Sequence, residues 1–582
     1  MTRPVVDARH RRSATNRTPS AYVMSVLSHP FIHKVLPIVI FLCMFALLFY
    51  LRLLPAIGHH VDFVLDSAFH YRMTDILLRT GTIPPIDTLS TYPEGKDINS
   101  LLPSGLYHVC AACHRIINLF MTAQLTTTIL LLCSFCGSLI ALPVYLISLE
   151  LYHNNLIALT SGSLAGLIPA YLNRTMCYWY RYEVLAVPIL FLSFLFFLRL
   201  FTPSSRTRVV VNGAATTALL LAALYVWRLS VLFVIAYLGC LLYISLRSGR
   251  NIKLVIVVAC ILLCVYTILI WFVPGFGIRN RGFNYGNFPI AVLEITLNKI
   301  GVSTPYSEFT RLVLDNQELQ GIGLIEMFSW DRLSLSAGFI GMFLLRYLGS
   351  RQRSAHRDIL FASLVIFTVL FLLVFRNVVL LAPFVGIAAG DSVVFVLNEK
   401  KKRGIRYAVL TVVLIISTTT AWDAYRMAST RGTRLDPYLA QAVVQIRTLA
   451  PPDTAVSCYW ADGYVIQTYC NRPTLTDGLF ESREIVRRIL EESKAYYSQE
   501  EDDLWNYCTR YGAAYLLLPV RRKESYADQA GVPYGKYFTS KGPTTLGSQT
   551  ILARLLYDPS SLRRFREIFR SRGYVLYEII RS

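Results

Sequence analysis

Acidic and basic residues crowd the polar stretch that follows the first long apolar segment of the chain. Asp66, His70 and Arg72 share one short run, and Asp87 follows it. Asp66 lies soon after the apolar segment, at the start of a helix-like run, and therefore close to a membrane surface. A carboxylate in such a place is costly and is typical of a site that coordinates a cation or accepts a proton. The planar fork of Arg72 suits phosphate oxygens.

The elements that position these residues are mostly membrane-spanning helices. Of the 582 residues, 54% are hydrophobic and 16% are charged. Because a helix needs about 20 apolar residues to cross a bilayer, the sequence predicts a polytopic α-helical membrane protein with about 11–13 spans. The candidate spans are residues 35–54, 124–148, 156–172, 184–202, 210–227, 229–247, 253–273, 335–349, 358–375, 377–398 and 405–422, and residues 101–121 are apolar enough to be re-entrant or spanning.

The distribution of positive charge predicts the topology. The formal net charge is +21, but Lys and Arg concentrate in short links between apolar segments. This placement is typical of cytoplasmic loops and argues against a nucleic-acid partner. The clusters are Arg206 with Arg208, Arg247 to Lys253, Arg346 to Arg357, and Lys400 to Arg406. They predict an integral membrane protein with a cytoplasmic N-terminus, in the plasma membrane if the source is prokaryotic.

Three regions follow from this topology. Residues 1–34 form a basic cytoplasmic tail, and residues 35–422 form the membrane domain. Two long loops of that domain, 55–123 and 274–334, lie outside, and loops of this length are usually functional. Residues 423–582 have the size and composition of a soluble mixed α/β domain outside the cytoplasm.

Further polar and aromatic motifs follow Asp66 along the chain. They are Arg174-Thr-Met-Cys-Tyr-Trp-Tyr-Arg181-Tyr-Glu183, the isolated Arg376, and Tyr459-Trp-Ala-Asp-Gly-Tyr464. With the Asp66 motif before them, they resemble the catalytic subunits of oligosaccharyltransferases, which are membrane glycosyltransferases of the GT-C class. The resemblance covers nearly the whole chain in the same order. It implies a GT-C-like membrane domain followed by a soluble domain outside.

The resemblance also implies a reaction and a site. The reaction is transfer of a glycan from a polyprenyl (pyro)phosphate carrier to Asn of a protein at the outer membrane face. Asp66, Glu183 and Glu326 would be the catalytic acids and would hold Mg²⁺ or Mn²⁺. Substrate contacts are expected from Arg72, Arg174, Arg181, Arg376, Tyr459, Trp460, Asp462 and Gly463. The partners would be a lipid-linked glycan, an acceptor polypeptide and membrane lipids.

Two positions depart from the family pattern. Arg181 stands where the family has an acidic residue, which removes one expected metal ligand and adds a fixed positive charge. We therefore hypothesise that Arg181 lessens the requirement for metal. Asp462 is displaced by one position relative to the family's W-W-D-Y-G motif, which leaves the choice of acceptor open.

The essential glutamate of the second long loop has three candidates, Glu294, Glu308 and Glu326. Glu326 lies shortly before the next span, as the corresponding glutamate of the family does. Its distance in sequence from Arg376 also fits best. The resemblance therefore favours Glu326.

Other interpretations remain open from the sequence. The altered motif at Trp460–Gly463 favours a transferase that uses a polyprenyl-phosphate sugar and a lipid or glycan acceptor. A transporter or lipid-handling scaffold would need polar or broken helices at mid-membrane, which are not evident. Tyr178 to Tyr182 could form an aromatic belt at the membrane interface, and Arg376 could cap a helix pair.

Overall fold

The computed structural model describes residues 30–98, 102–202, 205–248, 287–299, 305–315, 333–349, 354–398, 435–480 and 482–581, together with a few single residues between these ranges. The span predicted at 253–273 lies outside the described residues, and so does most of the span predicted at 405–422.

Within the described ranges, six helices are long and apolar enough to cross a membrane. They are Val35–Ala56, Leu125–Tyr152, Tyr182–Arg199, Arg206–Val226, Arg228–Ser245 and Ala355–Leu373, and Asn155–Leu167, Phe339–Leu348 and Val378–Ser392 are shorter apolar helices. These nine segments correspond to the predicted spans that the structure describes. The predicted class, a polytopic α-helical membrane protein, is confirmed. The apolar segment 101–121 contains the helix Gly105–Asn118, which is not among the nine.

The described residues of the first part of the chain, up to Asn398, are mostly helical. Its helices are α1 (Pro30–Leu53), α2 (Asp66–Thr80), α3 (Gly105–Asn118), α4 (Leu125–Leu139), α5 (Ala141–Tyr152), α6 (Asn155–Leu167), α7 (Pro169–Arg174), α8 (Tyr182–Arg199), α9 (Arg206–Val226), α10 (Val231–Ser248), α11 (Asn287–Lys299), α12 (Glu308–Asp315), α13 (Leu333–Gly349), α14 (Ala355–Leu373) and α15 (Val378–Asn398). Two short strands, β1 (Ile86–Asp87) and β2 (Lys96–Asp97), pair antiparallel between α2 and α3.

A buried arginine of α1 fixes the start of the second motif. The Arg52 guanidinium donates to Thr175 Oγ1 at 3.0 Å and to the Gly166 carbonyl at 2.9 Å. The backbone nitrogen of Cys177 donates to the Arg52 carbonyl at 3.2 Å. Because buried polar groups need such partners, these bonds hold the turn after α7 against α1.

The C-terminal region, described over residues 435–480 and 482–581 and called the tail from here on, is a mixed α/β unit, as predicted. Its helices are α16 (Pro437–Leu449), α17 (Trp460–Val465), α18 (Arg483–Tyr496), α19 (Glu501–Arg510), α20 (Lys523–Ala530), α21 (Tyr534–Tyr537) and α22 (Ile551–Tyr557), and its strands are β3 (Ala455–Cys458), β4 (Ala513–Pro519), β5 (Phe538–Thr539), β6 (Gly542–Pro543), β7 (Phe565–Arg570) and β8 (Tyr574–Ile579). A four-stranded sheet has the order β3-β4-β8-β7, with β3 parallel to β4 and the other pairs antiparallel. A five-residue π-helical turn, Ile466–Cys470, continues α17.

The tail packs directly on the loop and helix that follow α1. Tyr469 Oη accepts from the Phe63 nitrogen at 2.7 Å and donates to the Phe63 carbonyl at 3.0 Å. Thr468 Oγ1 donates to the Ala68 carbonyl at 3.1 Å, within α2. Side chains of the tail also join the apolar core of the membrane part, among them Phe480. The loop that carries Asp66 is therefore held from both sides.

Candidate active site

Asp66 is the first residue of α2 and follows a strained residue. Leu65 has φ +52° and ψ −138°, a backbone region that residues with a side chain rarely adopt. The Leu65 side chain packs against the core of the tail. Strain of this kind persists only where the surrounding structure holds it, and it is typical of functional sites. The Asp66 side chain remains 35% exposed at the end of this turn.

Arg181 lies beside Asp66. Its Nη2 is 3.6 Å from Asp66 Oδ2, and its guanidinium carbon stacks 4.4 Å from the centre of the Trp179 ring. Only 4% of Arg181 is exposed. Arg181 immediately precedes α8, so the turn between α7 and α8 brings it to the start of α2.

Glu183, in the first turn of α8, pairs with two more arginines. Arg376 donates to Glu183 Oε1 from Nε at 3.0 Å and from Nη2 at 2.9 Å. Arg174 Nη1 lies 3.8 Å from the same oxygen. The other oxygen, Oε2, is buried and has no hydrogen-bond partner within the described part of the chain. A fully buried carboxylate of this kind is stable only when paired, and its free oxygen can accept from a substrate group.

His70 extends the site one turn along α2. Its Nδ1 lies 3.0 Å from Tyr107 Oη, and Tyr107 Oη lies 2.9 Å from Tyr182 Oη. Burial and the nearby Arg181 lower the pKa of His70 to about 3, so the imidazole is neutral. Sequence reasoning missed Tyr107, because it lies in α3 outside the quoted motifs, and it assigned Tyr182 of the second motif no role in the site.

Gly478 of the tail lies close to Asp66, and Trp460 lies next to Gly478. A Cβ atom built on Gly478 would lie 3.7 Å from Asp66 Oδ1 and 3.8 Å from Trp460 Cε3. The Trp460 ring packs edge-on against Phe480, with 4.6 Å between the ring centres. Asp66 Oδ1 therefore faces the tail, whereas Oδ2 faces Arg181.

The rest of the predicted acceptor motif is engaged inside the tail. Asp462 Oδ2 accepts from Tyr574 Oη at 3.2 Å, and burial raises the pKa of Asp462 to about 7. The Tyr459 ring is buried, with the Arg522 guanidinium 5.2 Å from its centre. Gly463 lies against the Thr476 carbonyl so closely that a side chain would not fit. Of the predicted acceptor residues, Trp460 is the one that borders Gly478, the glycine that Asp66 Oδ1 faces.

Arg72 is part of the junction between loop and tail. Its Nη1 donates to Asp87 Oδ1 at 2.8 Å and its Nη2 donates to Gln467 Oε1 at 2.9 Å. Gln467 in turn donates to Asp477 Oδ2 at 3.2 Å, and Lys96 Nζ donates to Asp477 Oδ1 at the same distance. The predicted contact of Arg72 with phosphate stays a prediction, because its guanidinium has two protein partners.

Two of the three candidate loop glutamates have protein partners. Glu294 Oε2 accepts from the Ser307 nitrogen at 2.9 Å and from Thr310 Oγ1 at 2.5 Å. Glu308 pairs with Lys494 of the tail at 2.6 Å. Glu326 lies outside the described residues, so its place in the site stays a prediction.

The described donors do not fit a resident divalent cation. Among the described residues, no group of three or more His, Cys, Asp and Glu side chains could hold a metal ion. Asp66 and Glu183 each face a guanidinium within 4 Å. A divalent ion between them would meet these fixed positive charges at short range.

In this largely helical fold, acids and arginines that lie far apart in sequence are grouped around the start of α2, the end of α7 and the first turn of α8. The family model described as "Oligosaccharyl transferase STT3, N-terminal" matches residues 35–422. The chain belongs to this family, and the resemblance read from its motifs is confirmed. It is therefore a glycosyltransferase, and a role as a mere transporter or scaffold is not supported. A sequence search of curated proteins finds no match.

Solved structures of one archaeal enzyme share the fold. The oligosaccharyltransferase AglB of Archaeoglobus fulgidus, in complex with an inhibitory peptide and a dolichol-phosphate, has 13% identity and a TM-score of 0.72, over 93% of this chain and 80% of that chain. The A. fulgidus oligosaccharyltransferase tethered to an acceptor peptide with the NVT sequon has 13% identity and a TM-score of 0.73, over 93% of this chain and 80% of that chain. Its complex with Zn and sulfate has 13% identity and a TM-score of 0.70, over 91% of this chain and 79% of that chain.

Proposed function

We propose that this chain transfers a glycan from a polyprenyl (pyro)phosphate carrier to a protein asparagine, with Asp66 at the point where donor and acceptor meet. Membership of the STT3 family supports the reaction. The observation that carries the assignment of the site is that the two oxygens of the Asp66 carboxylate face different parts of the protein. One oxygen faces Arg181, and the other faces Gly478 of the tail, which Trp460 also borders.

The donor half of the proposed site is positive. Arg174, Arg181 and Arg376 surround the two acids, and their guanidinium groups are the residue type best suited to phosphate oxygens. When the bond between the anomeric carbon and the phosphate breaks, the electron pair stays on the phosphate. Positive charge that is already in place stabilises this developing anion. The dolichol-phosphate in the A. fulgidus complex supports a lipid phosphate as ligand here.

The acceptor half lies between Asp66 and the tail. An amide nitrogen is a poor nucleophile, so a carboxylate must orient it and take its proton as the bond to the sugar forms. Asp66 Oδ1 faces the tail and suits this role. Trp460 would pack against the acceptor peptide beside Asp66, and Tyr459, Asp462 and Gly463 would shape its support from within the tail.

The second long loop supplies the remaining acid in this proposal. Glu294 closes its own loop and Glu308 pairs with the tail, so both have structural partners. Glu326 remains as the glutamate that would complete the site. The predicted dependence on Mg²⁺ or Mn²⁺ stays a prediction; the Zn complex of the A. fulgidus enzyme supports metal binding in that protein.

The test is glycopeptide formation by purified full-length protein and its Asp66→Asn variant. The protein is mixed with a lipid-linked glycan and a peptide that contains Asn-Val-Thr. We expect Asp66→Asn to lower turnover by about 10³-fold, because it removes the group that receives the amide proton. Asp75→Asn, on the same helix and paired with the exposed Arg79, is the matched control. Equal turnover by the Asp66 variant and the control would exclude the proposed role.

A further inference from the structure

We infer that Arg181 is the resident cation of this site, and that the chain transfers its glycan without a divalent metal. The inference rests on the proposed function and adds the source of the positive charge beside Asp66. It follows from the disagreement between the metal that the family resemblance implies and the donors that the chain presents.

The first step is that Arg181 has one well-defined position. Its side chain is 5% exposed, and its guanidinium is stacked on the Trp179 ring at 4.4 Å. Stacking and burial together restrict a long side chain that would otherwise sample many rotamers. The positive charge beside Asp66 Oδ2 is therefore a fixed part of the protein.

The second step is the charge balance of the described site. Asp66 and Glu183 contribute two negative charges, and Arg174, Arg181 and Arg376 contribute three positive charges. Each acid already has a guanidinium within 4 Å of an oxygen. A divalent cation is favoured where carboxylates are in excess. The described residues hold no such excess, and with Glu326, which the proposed function adds to the site, the acids would number three against three arginines.

The third step is the chemistry that a guanidinium supplies. During transfer the bond between the anomeric carbon and the phosphate oxygen breaks, and a bond from the amide nitrogen to that carbon forms. The amide proton passes to Asp66 Oδ1. Arg181 keeps its protons throughout, because a guanidinium does not deprotonate in proteins. It holds Oδ2, so that Oδ1 stays directed at the acceptor, and it adds positive charge near the departing phosphate.

The test compares the wild-type chain with Arg181→Asp, which restores a carboxylate at this position. Glycopeptide formation is measured in EDTA and after addition of Mn²⁺, and binding of Mn²⁺ alone is measured by electron paramagnetic resonance. We expect the wild type to keep its turnover in EDTA within about twofold and to bind no Mn²⁺ that depends on Asp66. We expect Arg181→Asp to bind one Mn²⁺, to be inactive in EDTA, and to recover at least about tenfold with Mn²⁺.

The control is Arg79→Asp. It makes the same change of charge on α2, next to Asp75, but at an exposed position outside the site. It should neither bind Mn²⁺ tightly nor respond to EDTA.

Three outcomes overturn the inference. They are loss of wild-type turnover in EDTA with recovery in Mn²⁺, Mn²⁺ binding by the wild type that Asp66→Asn abolishes, and a folded Arg181→Asp variant that gains no Mn²⁺ site. The first two need no folded Arg181 variant. Failure of the proposed function is distinct: the wild type then forms no glycopeptide under any condition, and Mn²⁺ binding alone still decides whether Arg181 replaces the metal.

Discussion

At the residue scale, the central feature is that each of the two described acids of the site pairs with an arginine. Asp66 faces Arg181, and Glu183 accepts two hydrogen bonds from Arg376. The acids and arginines were found from the sequence because their motifs are distinctive. The pairing was not, since Glu183 and Arg376 are 193 positions apart and no local pattern links them.

Arg376→Lys tests the donor half. Lysine keeps the positive charge but cannot donate two hydrogen bonds in a fixed fork to Glu183 Oε1. We expect the KM for the lipid-linked donor to rise about tenfold, with a smaller change in kcat. Steady-state kinetics at varied donor concentration measure both constants. The exposed Arg79→Lys should leave them unchanged, and the assignment of Arg376 to the donor fails if the two variants behave alike.

At the element scale, the junction between the first outside loop and the tail decides where Asp66 lies. Helical segments were predictable, because apolar runs of about 20 residues specify them directly. The network that joins Arg72 to Gln467 was not, because these residues are 395 positions apart and Gln467 lies in no predicted motif. Because the sequence shows no link between Arg72 and Gln467, we expected the Arg72 guanidinium to bind phosphate. In the structure it contacts Asp87 and Gln467.

Glu492 of α18 gives the tail a pH-dependent stability. Its carboxyl accepts from Ser457 Oγ at 2.7 Å, and burial raises its pKa to about 8. The folded state therefore holds a proton that the unfolded state releases near its ordinary pKa of about 4.3. The stability from this group is complete below that value and is lost as the pH rises through about 8.

Glu492→Gln should remove this dependence. Between pH 5 and pH 8 we expect the unfolding free energy of the wild type to fall by about 1–3 kcal/mol more than that of the variant. Thermal unfolding of the full-length protein in detergent at both pH values measures the difference. Glu500→Gln, an exposed position, is the control. Parallel curves for wild type and Glu492→Gln would contradict a proton held by the buried carboxyl.

At the scale of the whole molecule, topology and fold were predictable to different degrees. Hydropathy predicted a polytopic membrane protein with a mixed α/β tail, and both are confirmed. The strand order β3-β4-β8-β7 was not predictable, because the tail's strands are short and separated by helices. The orientation of the chain in the membrane stays a prediction from the positive-inside rule.

Single cysteines test that orientation. Lys541→Cys lies at an exposed position of the tail, and Arg206→Cys lies at the exposed start of α9. In intact cells we expect a membrane-impermeant maleimide to label the first and to reach the second only after permeabilisation. The unsubstituted chain controls for its native cysteines. If the second cysteine is labelled in intact cells and the first only after permeabilisation, the predicted orientation of the chain is wrong.

The most direct test of the central claim is the mass of the acceptor after reaction. Purified protein receives a lipid-linked glycan with either an Asn-Val-Thr peptide or the same peptide with Gln in place of Asn. We predict that only the Asn peptide gains the mass of the glycan. Consumption of the donor with neither peptide modified would contradict transfer to protein asparagine.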